Sequence, residues 1–343
     1  MRVVRAKILG VGGYLPAAVL ENSELEIRLG QPPGWIRSSL GIERRHVAAP
    51  GELGYHLGAE AARVALADGG IEPEQVDLLL YHTNFADYSI PGSGVLVQRE
   101  LGLQRSVPAF DLRQQCAGFL FGLAAAEAYL LTGAYRCALV VCGERLVENS
   151  LPYPPIAPIF GDAGAAAVVV PSEGGAGLVE VRGYCDGSGT EFGIVSSDHY
   201  DVLDPARSVP PELERGVCSW REQPLSRRQA YHWDGGVIYK NAVSRMAEAT
   251  RELLSAHQLA MGDVDWYLFH QANQGIVERV GKLLKLPPER VLTNLGPYGN
   301  TSSASIPLLL WDARRSGRIR PGQLLLMCAF GVGYVWAAGL YRT

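Results

Sequence analysis

The heptapeptide Val76-Asp77-Leu78-Leu79-Leu80-Tyr81-His82 returns 188 residues later as Val264-Asp265-Trp266-Tyr267-Leu268-Phe269-His270, identical at four of seven positions. Each copy is a short apolar run that ends on a histidine, which suits a strand buried in a sheet and limits the chain to an α/β unit used twice. Further along, Thr132-Gly133 precedes the apolar run at Ala138, and Ser316-Gly317 precedes the run at Leu324. Counting back seventeen residues from each glycine reaches Cys116 in the first half and Asn300 in the second. Repeats this short also arise by chance among α/β units. The polar groups at matching places give this one its weight.

The rest of the chain has the same alternation. Strands are expected at Ala6–Leu9, Leu78–His82, Ala138–Cys142, Ala166–Val170, Tyr267–His270 and Leu324–Ala329, with an extended run from Val107 to Leu112. Helices are expected at Gly54–Asp68, Gly94–Leu101, Ala117–Leu131, Val237–His257, Gln274–Leu284 and Ser302–Arg315. The stretch from Gly187 to Asp234 differs in kind, being polar and rich in Pro and Arg without periodicity. It reads as an insertion or lid over a scaffold.

Three residues carry the candidate chemistry. Cys116 falls where the run to Leu112 gives way to the Ala/Leu-rich stretch, at the start of a helix that stops at Gly133. Peptide dipoles at a helix N-terminus favour a thiolate, the form that attacks carbon. The alternative is a small buried apolar residue. His270 closes the second repeat, and Asn300 follows Gly296-Pro297-Tyr298-Gly299 ahead of an apolar helix. Singly, His270 reads as a core histidine satisfied by backbone and Asn300 as a helix N-cap.

Composition excludes other classes. With 48% hydrophobic and 19% charged residues the chain is a globular protein, and a net charge of -4 argues against nucleic acid as the main partner. The first seven residues mix charges among apolar ones and do not read as a secretory leader, and no uncharged apolar run reaches the length of a membrane span. A cytoplasmic location is expected. Six cysteines without a CxxC pair, and no HxxxH or HExxH, read as reduced thiols rather than a disulfide framework or a zinc site. Gly10-Val11-Gly12-Gly13 follows a strand, but Leu15 occupies the sixth position, so the dinucleotide fingerprint is incomplete; there is no phosphate loop and no G-x-S-x-G elbow.

Taken together, Cys116-Ala117-Gly118-Phe119, Phe160-Gly161-Asp162-Ala163-Gly164-Ala165, His270-Gln271-Ala272-Asn273 and Tyr298-Gly299-Asn300-Thr301 resemble the thiolase-like condensing enzymes, and within them the ketoacyl-acyl carrier protein synthase III family. Gly13-Tyr14-Leu15-Pro16, Trp35-Ile36 and Gly41-Ile42-Glu43-Arg44-Arg45 add to the resemblance, which runs in the family's order over nearly the whole chain. It implies a duplicated five-layer α-β-α-β-α fold, with an N-terminal half over 1–175 and a C-terminal half over 176–343 that carries the insertion at about 187–234. It also implies decarboxylative condensation of a Cys116-bound acyl group with a malonyl-type thioester. His270 and Asn300 would stabilise the enolate, and the backbone N–H groups of Cys116 and Gly333 would form the oxyanion hole.

Further positions follow from the same resemblance. Trp35, Asn273 and Phe330 would contact the substrate or coenzyme A, and Ile90 would reach across a homodimer into the partner's acyl pocket. Lys240, Arg279 and Lys282 would dock an acyl carrier protein, with Lys285 continuing the face. The family's pyrophosphate-binding Arg falls at Ser39, the loop at Ser150-Leu151-Pro152-Tyr153 lacks its adenine-stacking Arg, and Gly275 stands where another Arg is expected. These departures, with Gln114 and Gln115 ahead of Cys116, point to a specialised polyketide or fatty-acid pathway with a carrier-bound donor, even one joining two carrier-bound chains. No cofactor or metal is called for, only thioester substrates. Two other readings keep the fold: an acyltransferase passing the Cys116 acyl group to oxygen or nitrogen, and a non-catalytic partner subunit.

Overall fold

The structure is a computed structural model that describes residues 4–151, 153–195 and 231–343. Its first sheet has five strands in the order Val4–Tyr14, Ala163–Glu173, Ala138–Glu144, Leu78–His82 and Ala109–Leu112. The second has four, in the order Gly177–Cys185, Val335–Arg342, Leu324–Gly331 and Trp266–Phe269. Directions match as well as order. In each sheet the first two pairings are antiparallel and the next is parallel. The fifth place of the second sheet shrinks to one parallel bridge between Tyr267 and Val291.

Five layers follow from which faces are apolar. The helix Gly118–Leu131, here called the cysteine helix, presents Phe119, Leu120, Leu123, Ala126 and Leu130 to the interior, and Ser305–Arg315, the asparagine helix, presents Ile306, Leu308, Leu309 and Ala313. Both lie in the core between the two sheets, sharing one cluster with Leu80, Val140, Leu268 and Met327. The outer helices are amphipathic instead. Gln274–Leu284 buries Ile276, Val277, Val280 and Leu284 and turns Glu278, Arg279 and Lys282 outward. It covers the second sheet with Gly235–Ala256, while Gly54–Gly69 and Ser93–Glu100 cover the first.

Most expected elements appear within a few residues of their limits. The cysteine helix starts at Gly118 rather than Ala117, because Gln115–Ala117 forms a separate turn of 3-10 helix, and the asparagine helix starts at Ser305 after a 3-10 turn at Ser302–Ala304. Sequence reading missed the strands Gly177–Cys185 and Val335–Arg342. The first carries Glu180 and Arg182 on a half-exposed sheet edge, and the second runs through Gly339, so neither gives a clean apolar period. Of the stretch 187–234, the two ends are described: Gly187–Phe192 is a 3-10 helix, and Gly193–Val195 pairs antiparallel with Tyr231–Trp233. The remainder, 196–230, lies outside the described residues, and so does the lid reading that falls on it.

Candidate active site

The central helices deliver their N-terminal turns to one place. Gln115, with φ of 44°, turns the chain sharply before Cys116, and the helix begins two residues later. Two glycines make room for this turn. A Cβ on Gly118 would sit 2.0 Å from the His82 ring, and one on Gly331 would sit 2.9 Å from the Cys116 nitrogen. His82 in turn accepts the Gln114 N–H on Nε2 at 2.9 Å, fixing the loop from below.

The turn opposite supplies the other groups. Asn300 is pinned by its backbone, donating to Ile159 O and accepting from Gly161 N, both at 3.0 Å, which ties it to the Phe160-Gly161 segment. Its side-chain Oδ1 accepts the Ser302 N–H at 2.7 Å. That contact identifies the oxygen and leaves the amide Nδ2 as the donor, without a partner among the described residues. Ser302 Oγ then reaches Cys116 Sγ at 3.3 Å. One turn on, Ser305 Oγ lies 2.7 Å from Nδ1 of His270, which follows the strand Trp266–Phe269. Residues 300–305 thus touch Cys116 and His270 from a single turn.

Burial sets the protonation states. The His270 side chain is buried, which pushes its pKa down to about 3, so the imidazole is neutral over the working pH range. Burial pushes the Cys116 thiol up to about 12; the Ser302 hydroxyl pulls it part of the way back, and the Glu144 carboxylate adds to the rise. The sequence reading expected the helix terminus to favour the thiolate. A terminus contributes about 0.3–1 kcal/mol at an exposed position, less than one pKa unit, and desolvation outweighs it.

The remaining expected positions are scattered. Trp35 opens the short helix Trp35–Leu40 and packs partly buried beside Ile36, and Arg37 on that helix pairs with Glu43 at 3.2 Å. Asn273 caps the helix Gln274–Leu284, accepting the Ile276 N–H on Oδ1 at 2.9 Å, which identifies the oxygen and leaves the amide nitrogen as its donor toward a ligand. Phe330 is buried against Tyr334 and Trp336 at centroid distances of 5.3 and 6.4 Å. Gly333 has a φ of 75°. Ile90 is 90% exposed, and Lys240, Arg279 and Lys282 are exposed. Lys285 does not continue the helical face, since it caps the helix at φ of 55°. Among the described residues no cluster of three His, Cys, Asp or Glu side chains is arranged to hold a metal ion, and no helix is long and apolar enough to cross a membrane.

Sequence reasoning missed Ser302 and Ser305. Their only signal was position, two and five residues after Asn300, and such short polar residues are common at helix starts.

The repeated sheets, the central helix pair and the Cys116, His270 and Asn300 set define a thiolase-like condensing enzyme. Residues 110–187 match the family model for 3-oxoacyl-[acyl-carrier-protein] synthase III, and residues 254–343 match the model for its C-terminal part. A beta-ketoacyl-[acyl-carrier-protein] synthase III of Symbiobacterium thermophilum is 36% identical over 343 residues, covering 98% of each chain. The crystal structure of 3-oxoacyl-[acyl-carrier-protein] synthase III from Aquifex aeolicus superposes with a TM-score of 0.85 at 31% identity, covering 98% of this chain and all of that one. A priming beta-ketosynthase from the R1128 polyketide pathway superposes with a TM-score of 0.84 at 30% identity, covering 100% of this chain and 98% of its own. The chain belongs to the 3-oxoacyl-[acyl-carrier-protein] synthase III family and is a decarboxylative condensing ketosynthase.

Proposed function

We propose that Cys116 takes the acyl group as a thioester and that His270 and Asn300 bind the carbonyl oxygen of a malonyl-type thioester. The supporting observation is the turn 300–305, in which Asn300 keeps its amide nitrogen for a ligand while Ser302 reaches Cys116 Sγ and Ser305 reaches His270 Nδ1. Ser305 O–H donates to His270 Nδ1, leaving the hydrogen on Nε2. The His270 Nε2–H and the Asn300 Nδ2–H are then both neutral donors. Loss of carbon dioxide puts the electron pair of the broken bond onto the enolate oxygen they face. The enolate carbon attacks the acyl carbonyl on Cys116, and the tetrahedral intermediate expels the Cys116 sulfur. Backbone N–H groups of Cys116 and Gly333 would hold the oxyanion at that step.

An acyl carrier protein would bring the extender, docking on the basic groups Lys240, Arg279 and Lys282. The two halves are assigned to 1–175 and 176–343, acting in the cytoplasm as a homodimer with Ile90 in the partner's pocket. No resident cofactor enters this scheme. Trp35, Asn273 and Phe330 are left as the donor-binding side chains, and Ser39 in place of the expected Arg favours a carrier-bound donor in a specialised pathway. Incubation with a panel of acyl-coenzyme A and acyl-carrier donors, followed by the mass added to Cys116, tests both points. Cys116→Ala should lose self-acylation, while His270→Ala and Asn300→Ala keep it and lose carbon dioxide release. Full condensation by Cys116→Ala would reject the scheme.

A further inference from the structure

A buried polar cluster behind Cys116 takes no part in the scheme above. At its centre is Glu144, the last residue of the strand Ala138–Glu144 and fully buried. Its Oε2 accepts the Asn84 backbone N–H at 3.0 Å, and its Oε1 accepts the Asn84 side-chain amide at 3.2 Å and the Ser303 hydroxyl at 2.5 Å. The Ser303 N–H also points at Oε1, at 3.4 Å, and His82 Nδ1 lies 3.6 Å from it.

Directions in this cluster are forced. A carboxylate only accepts, so the Asn84 group facing it is the NH2. The same nitrogen donates to Ser302 Oγ. A hydroxyl has one hydrogen, and with Asn84 donating into its lone pair, that hydrogen goes to the remaining neighbour, Cys116 Sγ at 3.3 Å. Ser302 is held for this by a left-handed backbone, φ of 49°, with its N–H tied to Asn300 Oδ1 at 2.7 Å. A non-glycine residue in that conformation costs of order 1–3 kcal/mol and persists only where its surroundings impose it.

We propose that Asn84 and Glu144 are positioning residues that aim the Ser302 hydroxyl hydrogen at the Cys116 sulfur. The sulfur then meets a donor each time it carries negative charge, both as the attacking nucleophile and as the group expelled after condensation. Glu144 itself opposes charge on the sulfur, so the oriented chain of donors offsets the carboxylate that anchors it. The other titratable groups around this turn are His82, whose Nε2 accepts the Gln114 N–H while Nδ1 faces Glu144, His270, whose Nδ1 faces Ser305, and the Cys142 thiol, which burial pushes up and which meets Ser303.

The inference rests on Cys116 being the acylated nucleophile, and the test separates the two. Full-length protein is treated with iodoacetamide at fixed pH values from about 7 to 10, below the titration of the buried thiol, where the rate of mass gain by the Cys116 peptide follows its thiolate fraction. Ser302→Ala should slow labelling about tenfold at each pH, the size of a lost hydrogen bond to a charged group. Asn84→Ala should slow it as well. Because Asn84 acts through Ser302, the double variant should be no slower than Ser302→Ala alone. A rate unchanged by Asn84→Ala, or slowing that multiplies in the double variant, overturns the proposal. If Asn84→Ala does not fold, Asn84→Ser, which stays small and polar but lacks the amide that reaches Ser302, carries the same cycle, and its effect must shrink once residue 302 is Ala. Cys116 that takes neither reagent nor acyl group would instead reject the nucleophile assignment.

Discussion

Ser305 Oγ lies 2.7 Å from His270 Nδ1, and with the hydroxyl of the asparagine helix donating to that nitrogen the ring hydrogen stands on Nε2. Without it the hydrogen is free to move to Nδ1, and Nε2 would meet the thioester carbonyl as an acceptor. A neutral hydrogen bond is worth about 0.5–1.5 kcal/mol, so Ser305→Ala should cut malonyl decarboxylation by about 3- to 10-fold. Cys116 acylation should be unchanged. Carbon dioxide release and acyl labelling, measured on the same samples, check the split; equal loss of both would contradict it.

Burial of His270 in the neutral form has a signature in stability. Its pKa is about 3 in the fold against about 6.5 unfolded, so the unfolded chain binds the extra proton between those values. The stabilising contribution is complete above about pH 6.5 and is lost as pH falls toward 3, at up to about 1.4 kcal/mol per unit. Urea midpoints at pH 7.5, 6 and 5 should therefore fall more steeply for the native chain than for His270→Asn. The decarboxylation rate should show no limb near pH 6.5, since the imidazole does not titrate there.

Gly118 and His82 are in such close contact that no side chain fits between them. A Cβ at 118 would lie 2.0 Å from the His82 ring, so Gly118→Ala must displace the histidine and break its bond to the Gln114 N–H. Overpacking of this kind costs about 1–3 kcal/mol. Cys116 sits between Gln114 and Gly118, so labelling of its thiol should slow along with the drop in urea midpoint. The double variant Gly118→Ala with His82→Gly, which removes the ring, should recover part of the stability; no recovery would place the strain elsewhere.

The candidate set Cys116, His270 and Asn300 was legible because a repeat leaves traces at both ends of its apolar runs. Leu78–His82 and Ala138–Glu144 are buried on both faces and read as unbroken apolar strings. The seventeen-residue count is not exact in the fold, since the matching 3-10 turns pair Cys116 with Ser303 and leave Asn300 three residues earlier. What stayed hidden was the contact between halves. Ser302 and Cys116 are 186 residues apart, and Asn84 and Ser302 are 218 apart. No local period records such a pairing. The state of the thiol was also unreadable, since it depends on how deeply the turn is buried.

Asp162 holds three backbone groups of two other loops. Its Oδ1 accepts from Leu146 N at 2.6 Å and Val147 N at 2.8 Å, and its Oδ2 accepts from Ala48 N at 2.9 Å. An amide offers only one oxygen. Asp162→Asn can keep the first two bonds but then sets an NH2 against the Ala48 N–H, leaving a buried donor unpaired at a cost of about 1–3 kcal/mol. Asp162→Ala should cost more, because all three donors lose their acceptor. Chemical denaturation of both variants checks the order.

The outer edge strand of the five-stranded sheet exposes an aromatic side chain, Phe110, beside Asp111. Among the described residues Ala109–Leu112 pairs only with Leu78–His82, and Phe110 on it is 40% exposed, stacked on the exposed Tyr129 with centroids 6.0 Å apart. The segment bearing Ile90 joins this edge, since Ser93 and Gly94 donate their N–H groups to Asp111, both at 2.7 Å. Unpaired backbone and exposed aromatic side chains together form a surface that a second copy can continue. Phe110→Asp places a charge at the centre of that edge and should convert a two-chain particle into single chains by sedimentation. Ile90→Asp, placed at the rim and 90% exposed in one chain, should weaken association less and instead change which acyl groups label Cys116. A native chain that sediments alone, or a Phe110→Asp protein that stays paired, would remove this edge as the dimer contact.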